Sequence, residues 1–369
     1  MEQVSELRPI KLLALLPSLQ GGGSEQVMLT LLRHLDRRRF TATLAVVDGR
    51  SADIESQLPA DLECQVLGCA RVRHAVPALW RLVRQRQPEV VLSTLGHLNM
   101  MLALMKPLLP RGTRLVGRES SIVSEAVRRE RHTVAWRWAY RAFYRSLDLV
   151  ICQSHAMQDD LCRNFGMPPA RTVVIPNPLD LQRIARLANQ SIPASPGRGT
   201  RVLAVGRLSP VKGFDVLIRA IAACPELPLT LDILGQGSED AALRELISQL
   251  GLGARVRLHG FQPNPYAWMR QADLLVLSSS YEGLPNVVLE ALACGTPVLT
   301  TPVPSALEIV NAIPQAVVAD GFSADSLARA LRSWHASARE RVPAGTVDRY
   351  AVQAIARRYE DVLAHAAGV

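Results

Sequence analysis

The chain has 369 residues, 48% apolar and 20% charged, with a formal net charge of +9. That balance excludes a disordered, collagenous or disulfide-stapled chain and sets an expectation of about two domains. No stretch approaches the roughly 20 apolar residues that cross a bilayer. The six cysteines form no C-x-x-C pair, which fits a reduced compartment without a zinc site.

The first strand-like run, KLLALL (11–16), follows acidic Glu2 and Glu6 and is too short for a signal-peptide core. A cytoplasmic protein is expected. The run leads into P-S-L-Q-G-G-G-S-E, where Gly21, Gly22 and Gly23 precede Ser24 and Glu25. Glycines there let backbone amides approach a ligand, and a helix start favours an anion. The dinucleotide-binding spacing fails at Gln26 and no P-loop lysine follows, so an anion cradle and a simple tight turn both stand.

Further runs in the first half are TATLAVV (41–47), EVVLST (89–94), RLVG (114–117), LVICQS (149–154) and TVVIP (172–176). His97 lies just past the second of these, and Arg118 with Glu119 just past the third. Both places are strand ends, where ligands meet open parallel sheets. Residues 1–180 carry 24 Lys and Arg against 17 Asp and Glu, the remainder 18 against 16. The excess sits in 71–87 and in 128–145, where Trp136, Trp138, Tyr140, Phe143 and Tyr144 interleave with arginines. Such helices suit an anionic membrane surface, a nucleic acid, or simply a solvated face.

A Ser-, Pro- and Gly-rich stretch within 181–200 reads as a linker. After it come RVLAVG (201–206), LTLDILG (229–235), RVRLHG (255–260), DLLVLS (273–278) and PVLTT (297–301). Continuous apolar strands alternating with helices imply parallel sheets covered on both faces. The expected fold is α/β: two doubly wound Rossmann-like lobes, 1–180 and 201–345, facing a central cleft. A C-terminal helix within 346–369 would pack back on the first lobe.

The second lobe holds the densest chemistry. Arg207 and Lys212 lie in the loop after RVLAVG, before a helix expected from Phe214; a forked cation and a point charge at a helix start can clamp phosphate. Lys212 is one of only three lysines. Glu282 follows DLLVLS by a few residues, ahead of a helix expected from Asn286. Glu290 lies within V-V-L-E-A-L-A, so that helix is buried and its carboxylate needs partners, for which ligand hydroxyls are suitable. No D-x-D occurs.

The Gly-rich first loop, I-P-N-P (175–178), G-R-L-x-x-x-K-G (206–213), G-x-G-x-E (Gly235, Gly237, Glu239) and the pair Glu282–Glu290 occur in this order. Together they resemble the family 4 retaining glycosyltransferases of the glycosyltransferase-B (GT-B) architecture, over essentially the whole chain. The resemblance implies that Arg207 and Lys212 hold a donor diphosphate and that Glu290 accepts from the ribose hydroxyls. It implies that Glu282 meets the donor sugar, and that amides of Gly283, Leu284, Asn286 and Val287 meet sugar and phosphate. Gly22 and Gly23 would lie under the diphosphate, Gly260 and Phe261 would edge the base, and His97 would approach the donor sugar. Arg118 stays a candidate by position alone.

A nucleotide-sugar, uridine diphosphate-linked at the family level, is then a substrate. No cofactor or metal is expected, because cations and helix-start amides would stabilise the leaving group. The basic aromatic first lobe is the family's acceptor lobe. It motivates a glycan or lipid-linked acceptor in envelope polysaccharide or glycolipid synthesis, with the protein peripheral on the cytoplasmic face of the inner membrane. Rival readings are a nucleotide-sugar epimerase of the same architecture and a non-catalytic basic binding protein. A nucleic-acid partner is not expected, since it would leave the Glu282–Glu290 pair without a purpose.

Overall fold

The structure is a computed structural model, described for residues 8–19, 23–49, 58–192, 199–337 and 340–369. Two compact units divide the chain, Met1–Pro178 with Val352–Val369, and Leu179–Ala351.

The first unit runs β1 (Ile10–Leu16), α1 (Gly23–His34), β2 (Phe40–Val46), β3 (Glu63–Val66), α2 (Val76–Arg86), β4 (Val90–Thr94) and α3 (Gly96–Met105). It continues with β5 (Arg114–Arg118), α4 (Val123–Arg128), α5 (Thr133–Phe143), β6 (Leu149–Cys152), α6 (His155–Phe165) and β7 (Thr172–Val174). Its seven strands pair in parallel in the order β3-β2-β1-β4-β5-β6-β7. Alternate residues of β1 serve two cores. Leu13 and Leu15 join the layer under α2, α3 and α6, whereas Leu12, Ala14 and Leu16 join the layer under α1. Successive strand side chains point to opposite faces, so a sheet buried on both sides needs an unbroken apolar run.

The second unit opens with α7 (Leu181–Ala188), then β8 (Thr200–Val205), α8 (Phe214–Ala222), β9 (Leu229–Leu234), α9 (Asp240–Gln249) and β10 (Val256–Leu258). There follow α10 (Pro265–Gln271), β11 (Leu274–Leu277), α11 (Asn286–Ala293), β12 (Val298–Thr300), α12 (Pro304–Val310), β13 (Ala316–Val318) and α13 (Ala324–Ala336). Its parallel order is β10-β9-β8-β11-β12-β13. Again β11 alternates, Leu274 and Val276 to one core, Leu275 and Leu277 to the other.

The last helix, α14 (Val352–Ala367), belongs to the first unit and buries Ile355, Tyr359 and Leu363 beside α1. Glu360, 5% exposed, pins it by accepting from Asp36 N at 2.8 Å and Arg39 at 3.1 Å.

Two boundaries differ from the sequence expectation, and two strands are added to it. Residues 181–188 are not linker: Asp180 caps a helix by accepting Arg183 N at 2.9 Å, and Ile184 and Ala188 sink into the second unit's core. Residues 193–198 of the expected linker lie outside the described residues. Val347 and Tyr350 also pack into the second unit, so the return to the first begins only at Val352. β3 and β13 were not expected; both are short, half-exposed edge strands with too few apolar residues to stand out.

Candidate active site

In the second unit the sheet order reverses at β8 and β11, the point where open parallel sheets bind ligands beyond their C-terminal strand ends. Two loops meet there. Lys212, on the loop after β8, donates from Nζ to Glu282 Oε1 at 2.6 Å. Ser279 Oγ donates to the same oxygen at 2.7 Å, and Ser305 Oγ donates to the Glu282 carbonyl at 3.0 Å. The two charged side chains are 20% and 14% exposed, so the pair is sheltered but open to a ligand. The backbones are clamped as well: Ser278 Oγ donates to Lys212 O at 2.7 Å and Ser280 N to Val211 O at 2.8 Å. Gly213 has φ +60°, and a Cβ there would stand 2.3 Å from Ser278 O, so this contact requires glycine. Arg207 is exposed on the same loop.

That loop is braced by the one after β9. Leu208 N donates to Gln236 O at 3.0 Å and Glu239 N to Leu208 O at 3.1 Å. A Cβ on Gly235 (φ +144°) would lie 1.8 Å from Gly206 O. The G-x-G-x-E segment thus works through backbone approach, supporting the loop that carries Arg207 and Lys212.

Helix α11 begins beside Glu282. The first amides of a helix have no helical carbonyl to bond, and the helix end is electropositive. Leu284 is 8% exposed and its side chain is core, which leaves its amide as the group it can offer. One helical turn on from Asn286, Glu290 has its carboxyl pushed up to about 7 by burial, against opposing effects of the Tyr266 hydroxyl and Arg183. The Tyr266 hydroxyl stands 3.5 Å from Glu290 Oε1, a long contact that leaves the carboxylate room for stronger donors.

At the end of β10, Gly260 turns with φ +68° and its carbonyl accepts Gly235 N at 2.8 Å. Phe261 beyond it is 66% exposed. His259 packs against Trp268 with the rings tilted by 52° and centroids 4.5 Å apart, and places Nε2 2.7 Å from Asp232 Oδ1. Neither Asp232 nor Trp268 carries a sequence signal; they become visible only as the neighbours of His259.

In the first unit the reversal lies at β1 and β4. Gly23 opens α1, while Gly22 lies outside the described residues. Glu25, 6% exposed, accepts from Ser18 Oγ at 2.6 Å. His97 is exposed on the first turn of α3, and partial desolvation of its ring lowers its pKa against the raising effect of Glu130.

Arg118 requires a correction. It is 1% exposed and its guanidinium is taken up by Tyr359 Oη at 3.1 Å, Thr94 Oγ1 at 3.0 Å and Asn177 Oδ1. A substrate cannot reach it; it ties β4, β5 and α14 together. Asn177 of I-P-N-P also donates to Gln153 Oε1 at 3.0 Å, so that motif serves the same buried network. The aromatic residues among the arginines of 128–145 are also largely internal. Tyr140 and Tyr144 are 5% and 1% exposed, whereas Trp138 (63%) and Val134 (83%) face outward.

The family described as glycosyl transferases group 1 matches residues 186–345, and glycosyltransferase family 4 matches residues 21–183. A Campylobacter jejuni protein, N-acetylgalactosamine-N,N'-diacetylbacillosaminyl-diphospho-undecaprenol 4-alpha-N-acetylgalactosaminyltransferase, is 30% identical over 291 residues, which is 77% of this chain and 78% of that one. The lipopolysaccharide core biosynthesis glycosyltransferase LpsE of Rhizobium meliloti is 30% identical over 203 residues, 48% of this chain and 58% of LpsE. Among solved structures, Anabaena HepE in complex with UDP and glucose superimposes with a TM-score of 0.78 at 20% identity, covering 96% of this chain and 100% of HepE. The lipopolysaccharide outer core galactosyltransferase WaaB gives 0.74 at 16% identity, covering 96% and 99%.

Proposed function

This chain belongs to glycosyltransferase family 4, with the GT-B fold, and on that premise we propose that it moves a hexose or N-acetylhexosamine from a uridine diphosphate sugar to a lipid-linked glycan, with retention at the anomeric carbon. The observation that carries the proposal is the Lys212–Glu282 pair at the β8/β11 reversal, beside the start of α11.

In this reading Arg207 and Lys212 take the donor diphosphate, and the amides of Gly283, Leu284, Asn286 and Val287 share its charge and orient the sugar. Glu282 holds sugar hydroxyls, Glu290 accepts from the ribose, and Gly260 with Phe261 edges the base. His97 attends the sugar during transfer. The bond from the anomeric carbon to the diphosphate breaks as a bond to the acceptor hydroxyl forms on the same face. The acceptor proton passes to the leaving diphosphate oxygen, so the protein need supply no base. Cations and dipoles already aimed at the leaving group stabilise the developing charge without reorganisation. Neither a metal nor a cofactor has a role in this scheme.

The lipid-linked acceptor is supported by the Campylobacter relative, whose name specifies a diphospho-undecaprenol substrate. The outward face of α5 adds support, with exposed Val134 and Trp138 beside Arg131 and Arg137; apolar side chains among arginines suit an anionic bilayer surface. The protein would then work peripherally at the cytoplasmic face of the inner membrane. The test supplies uridine diphosphate sugars with membrane lipid extract. Label passing into the lipid phase, lost in Lys212→Met, supports the reading; transfer to free sugars with equal efficiency overturns the lipid acceptor. Trp138→Ala should weaken flotation with anionic liposomes.

A further inference from the structure

Among the described residues, only Gln87 and Leu95 combine a side chain with positive φ. Gln87 is an ordinary left-handed cap at the end of α2. Leu95 is different: φ +76° and ψ 132° suit glycine, and leucine holds them only where its surroundings leave no alternative. It sits between β4 and α3, two residues before His97.

The surroundings are a buried polar cluster. Leu95 N donates to Arg118 O at 3.2 Å, and Leu95 O accepts from Leu98 N and Asn99 N, both at 3.0 Å. Asn99, 0% exposed, is the hub. Its Oδ1 accepts from Ser93 Oγ at 2.6 Å. Its Nδ2 donates to Arg118 O at 3.1 Å, Glu119 Oε1 at 3.0 Å and Tyr144 Oη at 2.9 Å. Tyr144 Oη in turn donates to Glu119 Oε1. A Cβ on the intervening Gly96 would lie 2.2 Å from the hydroxyl of Tyr140, a buried side chain packed in the core. Every strong contact of the turn points inward, while His97 alone points out.

We infer that Asn99, with Glu119 and Tyr144, is a positioning residue that clamps the strained Leu95–Gly96 turn so that His97 is presented at a fixed place. The inference rests on the reading of His97 as a residue that attends the transferring sugar. A side chain held by a strained but over-determined turn loses little on meeting the transition state, and small misplacements at such a centre are costly to rate.

Two readouts test it on the full chain. In transfer, Asn99→Ala should lower kcat roughly 10- to 100-fold with the donor KM nearly unchanged, and Asn99→Ser, a smaller lesion, should do so less. Because Asn99 acts through His97, Asn99→Ala should cost nothing further in a His97→Ala background. Leu95→Gly makes the turn cheap without the clamp, so Leu95→Gly with Asn99→Ala should recover part of the lost kcat. The second readout needs no activity: the His97 ring signals in a 1H–13C spectrum, assigned with His97→Gln, should shift or broaden in Asn99→Ser and return with Leu95→Gly.

Additive losses in the His97 background, or no recovery with Leu95→Gly, would overturn the inference. So would unmoved His97 signals in Asn99→Ser. Full activity of His97→Ala would remove the role of His97 and the inference together. Moved and restored signals without any transfer would leave the clamp standing and refute the functional reading instead.

Discussion

Glu282→Gln should separate donor binding from transfer. Lys212 is held by the Glu282 carboxylate at 2.6 Å, with the two side chains 20% and 14% exposed. Breaking a fully buried pair costs about 3–5 kcal/mol, an exposed one under about 1 kcal/mol, so this sheltered pair stands near 2 kcal/mol. A diphosphate that recruits Lys212 must share it with that carboxylate. Glutamine keeps the shape and still accepts from Ser279, but no longer competes for the cation. UDP should therefore bind the variant at least as tightly as wild type and up to about thirtyfold tighter, since about 2 kcal/mol is a factor of roughly 30. Transfer should fall by at least roughly 100-fold, because the charged contact to the sugar is gone. Lys212→Met should behave oppositely, losing UDP affinity and transfer together. Isothermal titration with UDP at two salt concentrations reads the first effect, and product formation reads the second. If Glu282→Gln weakened UDP as much as Lys212→Met does, the competition argument would be wrong.

Three further outcomes follow from the same geometry. Burial pushes the Glu290 carboxyl up to about 7, and in its proposed role ribose hydroxyls would donate to the ionised form. Nucleotide affinity should rise with pH up to about 7 and then level off, with proton release seen by calorimetry in buffers of different ionisation heat, and Glu290→Gln should flatten the profile. Glu119 is also raised to about 7, chiefly by burial, from an ordinary 4.5. Its folded-state pKa lies above its unfolded one, so the fold favours the protonated acid; stability from this group is greatest below pH 4.5 and is lost as pH rises to about 7. The loss is about 3 kcal/mol, and urea melts of Glu119→Gln between pH 4.5 and 8 should lack that share of the slope. Gly235→Ala would drive a Cβ to 1.8 Å from Gly206 O. It should cost at least about 2 kcal/mol in thermal melts and weaken UDP binding, whereas Gly253→Ala, in open space, should not.

The parallel sheets were legible because both faces of each are buried, which leaves runs such as residues 12–16 and 274–277 without polar interruption. Glu290 was legible for a related reason: a carboxylate in an all-apolar helix advertises its burial. The edge strands β3 and β13 were not, since short half-exposed segments carry no such pattern. Within the site, Lys212 and Glu282 could be singled out but not paired, because the contact joins loops 70 residues apart. Gly235 was only one letter of the G-x-G-x-E motif, and the close approach to Gly206 gives it a structural task. Arg118 was misread because a strand end says nothing about what α14 contributes from the far end of the sequence, and Tyr359 covers it. Leu95 had no signal at all: leucine is not a turn residue, and its conformation follows from Asn99, Arg118 and Glu119 around it.

The most direct test of the central claim is a single incubation of the purified chain with a labelled uridine diphosphate sugar, with and without lipid-linked acceptor. The account predicts acceptor-dependent release of UDP, label in the lipid product with the donor's anomeric configuration retained, and loss of both in Lys212→Met. Release of UDP with the sugar epimerised or merely hydrolysed, equally with or without acceptor, would contradict it.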